Sequence, residues 1–374
     1  MSSAPDKSIN LLIQQLSQLS GQWLIIADEN WAQNVWSTIN NTDRRSITVI
    51  SNRIDIVKAA ELADIDCHFS DFDFSAIPSA SFDSVLYRVS KERATSHHVI
   101  NQAAKVLKPK GTLLLAGEKN DGLKSYVKQA GKLFADPVNA EKNGKAYVAS
   151  IVLNIAETQP LNDKNYQQLR SIQFSDDLCL QSKPGIFGWD KIDRGSAFLI
   201  DHLPQFLGQY KNAPQSLLDL GCGYGYIAYS ASQFGFNRIL ATDNNAAALS
   251  AVQENLKSLK DIEWDVLATD AGDKIDEQFD TILCNPPFHS GFSVDDQLAN
   301  KFLSQTNRLL NRSVQALFVV NIHFAPDWDG GCRRRIFRRL RAFLPRPGDA
   351  AVVLIGYLNF SASGEGRLNL TLRR

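Results

Sequence analysis

Asn285-Pro286-Pro287-Phe288-His289 follows an apolar run, Thr281-Ile282-Leu283-Cys284, that is typical of a buried parallel strand. Two successive prolines cannot continue a strand, because proline lacks the amide N–H and its ring fixes φ. We therefore expect a stiff loop at the carboxyl edge of an α/β sheet, where open sheets bind their ligands. The loop offers an amide, backbone carbonyls and an aromatic ring, which suit a planar substrate amine. A simple proline turn over a buried Phe288 explains the same stretch of sequence equally well.

A glycine-rich turn upstream favours the ligand-binding interpretation. Residues 217–225, Leu-Leu-Asp-Leu-Gly-Cys-Gly-Tyr-Gly, predict a strand that runs into a turn, with a helix from Tyr226. Glycine permits positive φ and a close approach of the backbone to a ligand, and the free N–H groups of a helix start attract polar groups. Such a turn alone also fits NAD sites. However, Asp243 and Asp270 end the next predicted strands, and Asp243 stands where a ribose-binding acid belongs.

Together the two motifs, 219–225 and 285–289, resemble those of class I S-adenosylmethionine-dependent methyltransferases that methylate nitrogen. The Pro-Phe-His ending is similar to that of ribosomal RNA guanine-N2 methyltransferases, and within these the chain most resembles the small subunit methyltransferase C family. The resemblance implies an α/β fold of two tandem Rossmann-like methyltransferase domains, the N-terminal one degenerate, with S-adenosyl-L-methionine as cofactor. It also implies methylation of the exocyclic N2 amine of a guanine in ribosomal RNA, as naked RNA or within the small ribosomal subunit.

The residue chemistry and the resemblance assign candidate roles along this sequence. The candidate catalytic residues, which would hold the target base and stack on it, are Asn285, Pro286, Pro287 and Phe288. The candidate cofactor-binding residues are Asp219, Gly221, Gly223, Gly225, Asp243, Asp270 and Phe187. In the family a segment similar to 184–196 covers the cofactor, which makes Asp193 a further lid candidate, and a loop with packed aromatic residues fits that segment equally well. We predict no metal site.

Strands and helices alternate in both halves of the sequence, which indicates doubly wound sheets. We predict a first domain at 1–156, a linker at 157–183, a catalytic domain at 184–330 and an atypical arginine-rich segment at 331–374. The first half has neither the glycine turn nor the proline loop at its strand ends, so it cannot bind the same cofactor in the same way. It would stabilise the protein or dock RNA, in the second case through six basic residues: Arg88, Lys91, Arg93, Lys119, Lys124 and Lys128.

Composition limits the class of protein and of partner. The chain has 374 residues, of which 44% are hydrophobic and 21% charged, as is usual for a globular protein of two domains. Its 40 basic and 40 acidic side chains cancel, so an RNA partner would have to meet a local basic surface. Five cysteines without metal-ligand spacing indicate free thiols, and we expect a cytoplasmic monomer. Cys222, between the glycines, is expected to pack rather than to act as a nucleophile.

The last part of the sequence departs from the family pattern after about Phe324. The family closes its sheet with a final antiparallel pair of strands, and no equivalent is evident in this part of the sequence. Instead, arginines cluster at 333–346, and 352–355 is apolar enough to form a strand. We favour a shifted reading frame, with the last strand missing, over an added RNA-binding element.

Other functions compete with methylation of the small-subunit RNA. A large-subunit ribosomal RNA guanine-N2 methyltransferase has two such halves as well, and a catalytically impaired RNA-binding or ribosome-assembly factor would keep the fold without turnover. The proline loop also serves adenine-N6 and glutamine-amide methyltransferases, which the duplicated first half disfavours. A NAD-dependent dehydrogenase is disfavoured because nothing after the glycine turn resembles a hydride-transfer site.

Overall fold

The computed structural model describes residues 6–16, 20–31, 35–39, 44–155, 159–286, 289–290, 293–294, 296–318, 356–360 and 366–368. The chain divides into two compact units. The first comprises Met1–Gln168, Lys183–Gly185 and Asn245–Ala247, and the second comprises Leu169–Ser182, Ile186–Asn244 and Ala248–Arg374. The segment predicted as a linker, 157–183, is thus divided between the two units. Within the ranges above, every helix is too short or too polar to cross a membrane.

The first half of the chain forms one mixed sheet with helices on its faces. The helices are α1 (Lys7–Leu16), α2 (Ile54–Glu61), α3 (Arg93–Val106) and α4 (Leu123–Leu133). The strands are β1 (Trp23–Ala27), β2 (Ile47–Ser51), β3 (Asp66–Phe69), β4 (Phe82–Arg88), β5 (Leu107–Glu118), β6 (Glu141–Asn143) and β7 (Ala146–Val152). The sheet order is β3-β2-β1-β4-β5-β7-β6, parallel from β3 to β5 and antiparallel at β7 and β6.

Strand β1 accounts for the two cores of this first unit. Every one of its residues is buried. The pleat of the strand makes successive side chains alternate between the two faces of the sheet. Trp23 and Ile25 belong to one apolar cluster, whereas Leu24 and Ile26 belong to the other, on the opposite face. A strand covered on both faces requires an unbroken apolar run, and that is the pattern in the sequence.

A buried ion cluster fills the carboxyl edge of this first sheet. Arg88, at the end of β4, is 7% exposed, and its guanidinium contacts the carboxylates of Asp6 and Asp121, each at 3.0 Å. Asp28, directly after β1, is buried as well, and burial and Glu29 raise its pKa to about 7 while Arg88 opposes the rise. The expectation that Arg88 docks RNA was therefore wrong. The other five basic side chains proposed for docking are exposed: Lys91, Arg93, Lys119, Lys124 and Lys128.

The second half repeats this plan. Its helices are α5 (Arg194–Leu207), α6 (Tyr226–Ala231), α7 (Ala246–Leu256) and α8 (Asp296–Leu309). Its strands are β8 (Arg170–Ser175), β9 (Leu178–Ser182), β10 (Ser216–Leu220), β11 (Arg238–Asp243), β12 (Glu263–Ala268), β13 (Phe279–Cys284), β14 (His289–Ser290), β15 (Ser293–Val294), β16 (Leu310–Phe318), β17 (Gly356–Phe360) and β18 (Gly366–Leu368). The main sheet has the order β12-β11-β10-β13-β16-β17-β18. Its five parallel strands are arranged as in the first unit, whereas the closing antiparallel strands differ: β17 lies next to β16 and β18 lies at the edge, while in the first sheet the later strand, β7, lies next to β5 and β6 lies at the edge. The predicted pair of tandem doubly wound domains is confirmed.

The second sheet ends in an antiparallel pair, which the sequence analysis did not find. Strand β17 pairs antiparallel with β16, and β18 pairs antiparallel with β17. The expectation that the sheet lacks its last strand was therefore wrong. The apolar run at 352–355 and the arginines at 333–346 lie outside the described residues, so the prediction of a strand at 352–355 stays a prediction.

Candidate active site

The glycine turn and the proline loop begin side by side at one edge of the second sheet. Strands β10 and β13 are parallel neighbours, with Leu218 opposite Ile282 and Asp219 opposite Leu283. The Cys284 thiol donates a hydrogen bond to the carbonyl of Leu220 at 3.0 Å, one residue before each loop. Because the strand order reverses at β10, this edge is the position where doubly wound sheets bind ligands.

The turn after β10 has a backbone conformation that favours glycine at three positions. Gly221, Gly223 and Gly225 have φ values of 81°, 55° and 88°, in the left-handed region that side chains disfavour. A Cβ on Gly225 would lie 2.5 Å from Cγ2 of Val252, whereas a Cβ on Gly223 would have no atom within 4 Å in the described part of the chain. Gly225 is therefore required by packing, and Gly223 leaves its backbone open to a ligand.

Asp219 stabilises the turn with one carboxylate oxygen, and the other oxygen is open to a ligand. Its side chain is buried, and Oδ2 accepts a hydrogen bond from the Ala228 amide at 2.9 Å, which anchors the first turn of α6. Among the described residues, Oδ1 has no hydrogen-bond partner. Burial raises the pKa of Asp219 to about 7, and the nearby Asp243 carboxylate adds to the rise. Such an oxygen is suited to a cationic or hydrogen-bond-donating ligand group.

The two acids at the neighbouring strand ends differ in their environment. Asp243, the last residue of β11, accepts a hydrogen bond from the Gly223 amide at 2.9 Å and so ties its strand to the turn. Asp270 follows β12 and forms an ion pair with Lys301 of α8. The sequence analysis gave no role to Lys301, since nothing in its local pattern distinguishes it from the other lysines of a solvated helix.

Asn285 is held by the start of a helix. Its Nδ2 donates to Oδ2 of Asp193 and to Oγ of Ser196, both at 2.8 Å. Asp193 is the N-cap of α5, where its side chain also accepts the Ser196 amide at 3.0 Å. Pro286 is buried, while Pro287 and Phe288 lie outside the described residues, so their predicted roles stay predictions.

The segment expected to cover the cofactor has its aromatic side chain in solvent. Phe187 is 81% exposed, next to Ile186, which is buried. Nearby, Arg170 lies over the Trp189 ring at 5.5 Å, and the Tyr224 hydroxyl donates to the carbonyl of Lys191 at 3.3 Å. The assignment of Phe187 as a covering residue stays a prediction.

Sequence reasoning missed the contact between Asp193 and Asn285. The pattern Asp-x-x-Ser at 193–196 is a good N-cap signal, and it predicts the start of a helix there. It carries no information on which distant loop the cap would meet, because that follows from packing α5 against the sheet. Cys222 behaves as expected, since it is buried and burial raises the pKa of its thiol well above the ordinary value.

The site has the features that S-adenosylmethionine would require. The open backbone at Gly223 permits close approach, Oδ1 of Asp219 is an unused buried acceptor, and Asp243 lies at the end of the adjacent strand. The side-chain groups are acceptors, and they match a ligand with an ammonium group and ribose hydroxyls. The residues present therefore fit the cofactor that the sequence implied.

Known proteins resemble both halves of the chain. The family model described as methyltransferase small domain N-terminal matches residues 10–147, and the model described as methyltransferase small domain matches residues 177–327. The ribosomal RNA small subunit methyltransferase C of Shewanella halifaxensis is 32% identical over 250 residues, which span 65% of this chain and 69% of that protein. The protein of the same name from Shewanella amazonensis is 30% identical over 243 residues, which span 65% of this chain and 69% of that protein.

A solved structure shares the fold of both halves. The T. thermophilus 16S rRNA N2 G1207 methyltransferase, in complex with AdoMet and guanosine, superposes with a TM-score of 0.73 at 21% sequence identity. The match covers 86% of this chain and 85% of that one. It therefore extends over both halves of the chain.

Proposed function

The chain belongs to the ribosomal RNA small subunit methyltransferase C family, and we propose on this premise that it methylates the exocyclic N2 amine of a guanine in small-subunit ribosomal RNA. The cofactor in this proposal is S-adenosylmethionine, and the second unit carries the catalysis. The enzyme would act as a monomer in the cytoplasm, on naked RNA or on RNA within the small ribosomal subunit.

The observation that carries the proposal is the Asn285 amide beside the glycine turn. Strand register brings residues 221–225 and 285–286 to one edge of the sheet. The Asn285 amide is fixed there by two hydrogen bonds from its Nδ2. A fixed amide next to a ligand cradle is the arrangement needed to hold a planar amine against a second bound molecule.

The residues of the loop would orient the guanine amine. The target base has to leave its stack, because its amine cannot be approached by a protein active site within a paired helix. Oδ1 of Asn285 and the backbone carbonyl of Pro286 would accept the two amine hydrogens, which turns the nitrogen lone pair towards the glycine turn. The same two acceptors stabilise the positive charge that develops on the nitrogen. Stacking on Phe288 would add about 1–3 kcal/mol to base binding.

The glycine turn and its neighbouring acids would hold the cofactor. S-adenosylmethionine supplies, when bound, a methyl group on a sulfonium that leaves as a neutral thioether. The chain therefore has to bind, orient and exclude water, and no strong general base is required. In our proposal, the backbone at Gly223 lies against the ligand, Oδ1 of Asp219 faces its amino group and Asp243 accepts its ribose hydroxyls. Asp270 would accept from the adenine amine next to its ion pair with Lys301.

The first unit would dock the RNA. Lys91 and Arg93 follow the end of β4, and Lys119 and Lys124 follow the end of β5; since β4 and β5 are parallel, all four lie towards one edge of the sheet. All four side chains are exposed, and Lys128 of α4 is exposed as well. Exposed cations on one edge are the local surface that phosphate contacts need in a chain of zero net charge.

Methyl transfer from labelled S-adenosylmethionine tests the proposed function. We expect label in small-subunit ribosomal RNA, and nuclease digestion should give N2-methylguanosine as the labelled nucleoside. Asn285→Ala is the matched variant, because it removes the acceptor and leaves the glycine turn untouched. It should lower kcat while cofactor affinity, measured by isothermal titration, stays near that of the wild type.

The same experiment separates the competing functions. Label found in large-subunit RNA would favour the large-subunit enzyme, and label at an adenine would contradict the guanine assignment. A chain that binds S-adenosylmethionine without transferring its methyl group to either RNA would instead be an impaired RNA-binding or assembly factor.

A further inference from the structure

The side-chain amide of Asn285 has a defined orientation in the second unit. Its nitrogen Nδ2 lies 2.8 Å from Oδ2 of Asp193 and 2.8 Å from Oγ of Ser196. A carboxylate accepts hydrogen bonds and cannot donate them, so the amide atom that faces Asp193 has to be the NH2 group. Rotation of the amide by half a turn would place two oxygens against each other. The chemistry of Asp193 therefore fixes which end of the amide is which.

This orientation leaves the carbonyl end of Asn285 for a substrate. No hydrogen bond to Oδ1 comes from the described part of the chain. An amide that could rotate freely would present its NH2 group to the substrate amine for part of the time, and two donors repel each other. Hydrogen bonding of the NH2 group to an ionised carboxylate also polarises the amide and makes its oxygen a better acceptor.

Asp193 is itself fixed by the helix that it caps. Its Oδ2 accepts the Ser196 amide at 3.0 Å, and its backbone carbonyl accepts the Ala197 amide at 2.9 Å. The first turn of α5 thus holds the carboxylate and the Ser196 hydroxyl on the same side, facing the proline loop. One oxygen of Asp193 serves both the helix and Asn285.

We propose that Asp193 and Ser196 are positioning residues for methyl transfer, which lock the Asn285 amide with its carbonyl directed at the target amine. The inference rests on the proposed function and adds to it the pair of residues that prepares the loop. Asp193 would act through Asn285 and would touch neither the base nor the cofactor. The segment around it was expected only to cover the ligand, and this contact gives Asp193 a different task.

Three substitutions separate this role from helix capping. Asp193→Ser keeps an N-cap side chain that can accept the Ser196 amide, but it is too short to reach Nδ2 of Asn285. Asp193→Asn keeps an acceptor oxygen in the place of Oδ2. Ser196→Ala removes the second partner of Nδ2. Asp201→Ser is the matched control, because it removes an exposed carboxylate from the same helix and Asp201 has no contact with Asn285 in the described structure.

The expected result is a fall in kcat without a fall in binding. For Asp193→Ser, we expect kcat to drop about ten- to a hundredfold, because the bond lost is one to a charged acceptor. Ser196→Ala should lose a few-fold, and Asp193→Asn should recover most of the wild-type kcat. Cofactor affinity and the thermal midpoint should stay close to those of the wild type in all three, and Asp201→Ser should match the wild type in every respect.

A spectrum of the 15N-labelled chain tests the contact without relying on turnover. The Asn285 side-chain NH2 signals, assigned by their loss in Asn285→Asp, should shift in Asp193→Ser and stay in place in Asp201→Ser. Unmoved signals would overturn the inference even if the wild type proved inactive. So would an undiminished kcat in Asp193→Ser, or an Asp193→Asn variant as slow as Asp193→Ser. Failure of the wild type to methylate RNA would overturn the proposed function alone.

Discussion

The physical requirement for glycine differs between positions of the glycine turn. Gly225 has no space for a side chain, since Val252 is too close, whereas a Cβ on Gly223 would have no described atom within 4 Å. The repeated motif identifies both positions in the sequence without distinguishing them. The distinction comes from the packing of α7, which a local pattern does not contain.

Gly223→Ala should therefore abolish cofactor binding at a modest cost in stability. The new methyl group would have no atom of the described residues within 4 Å, and the positive φ of 55° would cost roughly 1–2 kcal/mol. Gly235→Ala is a matched control, because Gly235 also has positive φ and no neighbour within 4 Å in the described structure, but lies away from the turn. Thermal midpoints should fall by similar amounts, and isothermal titration should detect lost affinity only for Gly223→Ala. Equal affinity in both variants would place the cofactor elsewhere.

Asp219 should make the stability of the protein without cofactor depend on pH. Its folded-state pKa of about 7 lies above the ordinary value of 3.8, so the folded chain holds a proton that the unfolded chain releases. Stability contributed by this group is therefore present below about pH 4 and is lost as the pH rises towards 7, by an amount of the order of a few kcal/mol. The titratable group that raises the pKa of Asp219 further is the Asp243 carboxylate, and Asp219 in turn raises the pKa of the buried thiols of Cys222 and Cys284.

Asp219→Asn should remove this dependence. An amide oxygen can still accept the Ala228 amide, and no charge has to be buried at high pH. We expect the thermal midpoint of the variant to exceed that of the wild type at pH 8 and to approach it at pH 5. Cofactor affinity should fall at pH 8, because the acceptor for the ammonium group is gone. A variant less stable than the wild type at pH 8 would contradict the argument.

Elements of the sheets were predicted well where they are apolar throughout. Strands β10 and β13 are buried runs, and each was located in the sequence to within about two residues. The hairpin of β8 and β9 was assigned to a polar linker, because its burial pattern alternates and its outward residues are polar. The closing strands were missed for a related reason, since Gly356–Phe360 and Gly366–Leu368 are short and interrupted by polar residues.

The ion cluster at the end of β4 gives a test of what stabilises the first unit. Arg88→Leu should destabilise that unit by about 3–5 kcal/mol, because it leaves the carboxylates of Asp6, Asp28 and Asp121 without their shared cation. Lys91→Leu is the control, since Lys91 is exposed three residues further on. Thermal unfolding followed by circular dichroism should show a lowered transition for Arg88→Leu only. A transition at the wild-type temperature would mean that the cluster contributes no net stability.

At the scale of the whole molecule, a net charge of zero conceals an uneven distribution. The sequence predicted that any RNA contact would be local, and the structure removes Arg88 from the proposed set while leaving five exposed cations. Composition could not make this distinction, because a buried arginine and an exposed one count the same. The doubly wound sheets, in contrast, followed from the alternation of strands and helices in both halves of the sequence, and their tandem arrangement was what the family resemblance implied.

Charge reversal at α4 should weaken RNA binding without affecting the cofactor. We expect Lys124→Glu combined with Lys128→Glu to raise the Kd for small-subunit RNA and to flatten its dependence on salt. Lys105→Glu combined with Lys132→Glu makes the same charge change at exposed positions near the other ends of α3 and α4. Filter binding across a range of salt concentrations compares the two pairs. Equal losses in both would indicate a general charge effect and no docking edge.

Oδ2 of Asp193 accepts hydrogen bonds both from the start of α5 and from the Asn285 amide. This shared oxygen couples catalysis to the thermal stability of the helix end. Helix ends fray before the sheet beneath them melts, and fraying at Ser196 would release the oxygen that steadies the amide. Warming would then slow the enzyme while most of its secondary structure persists. The working temperature range of the protein would be set by one turn of α5 and not by its cores.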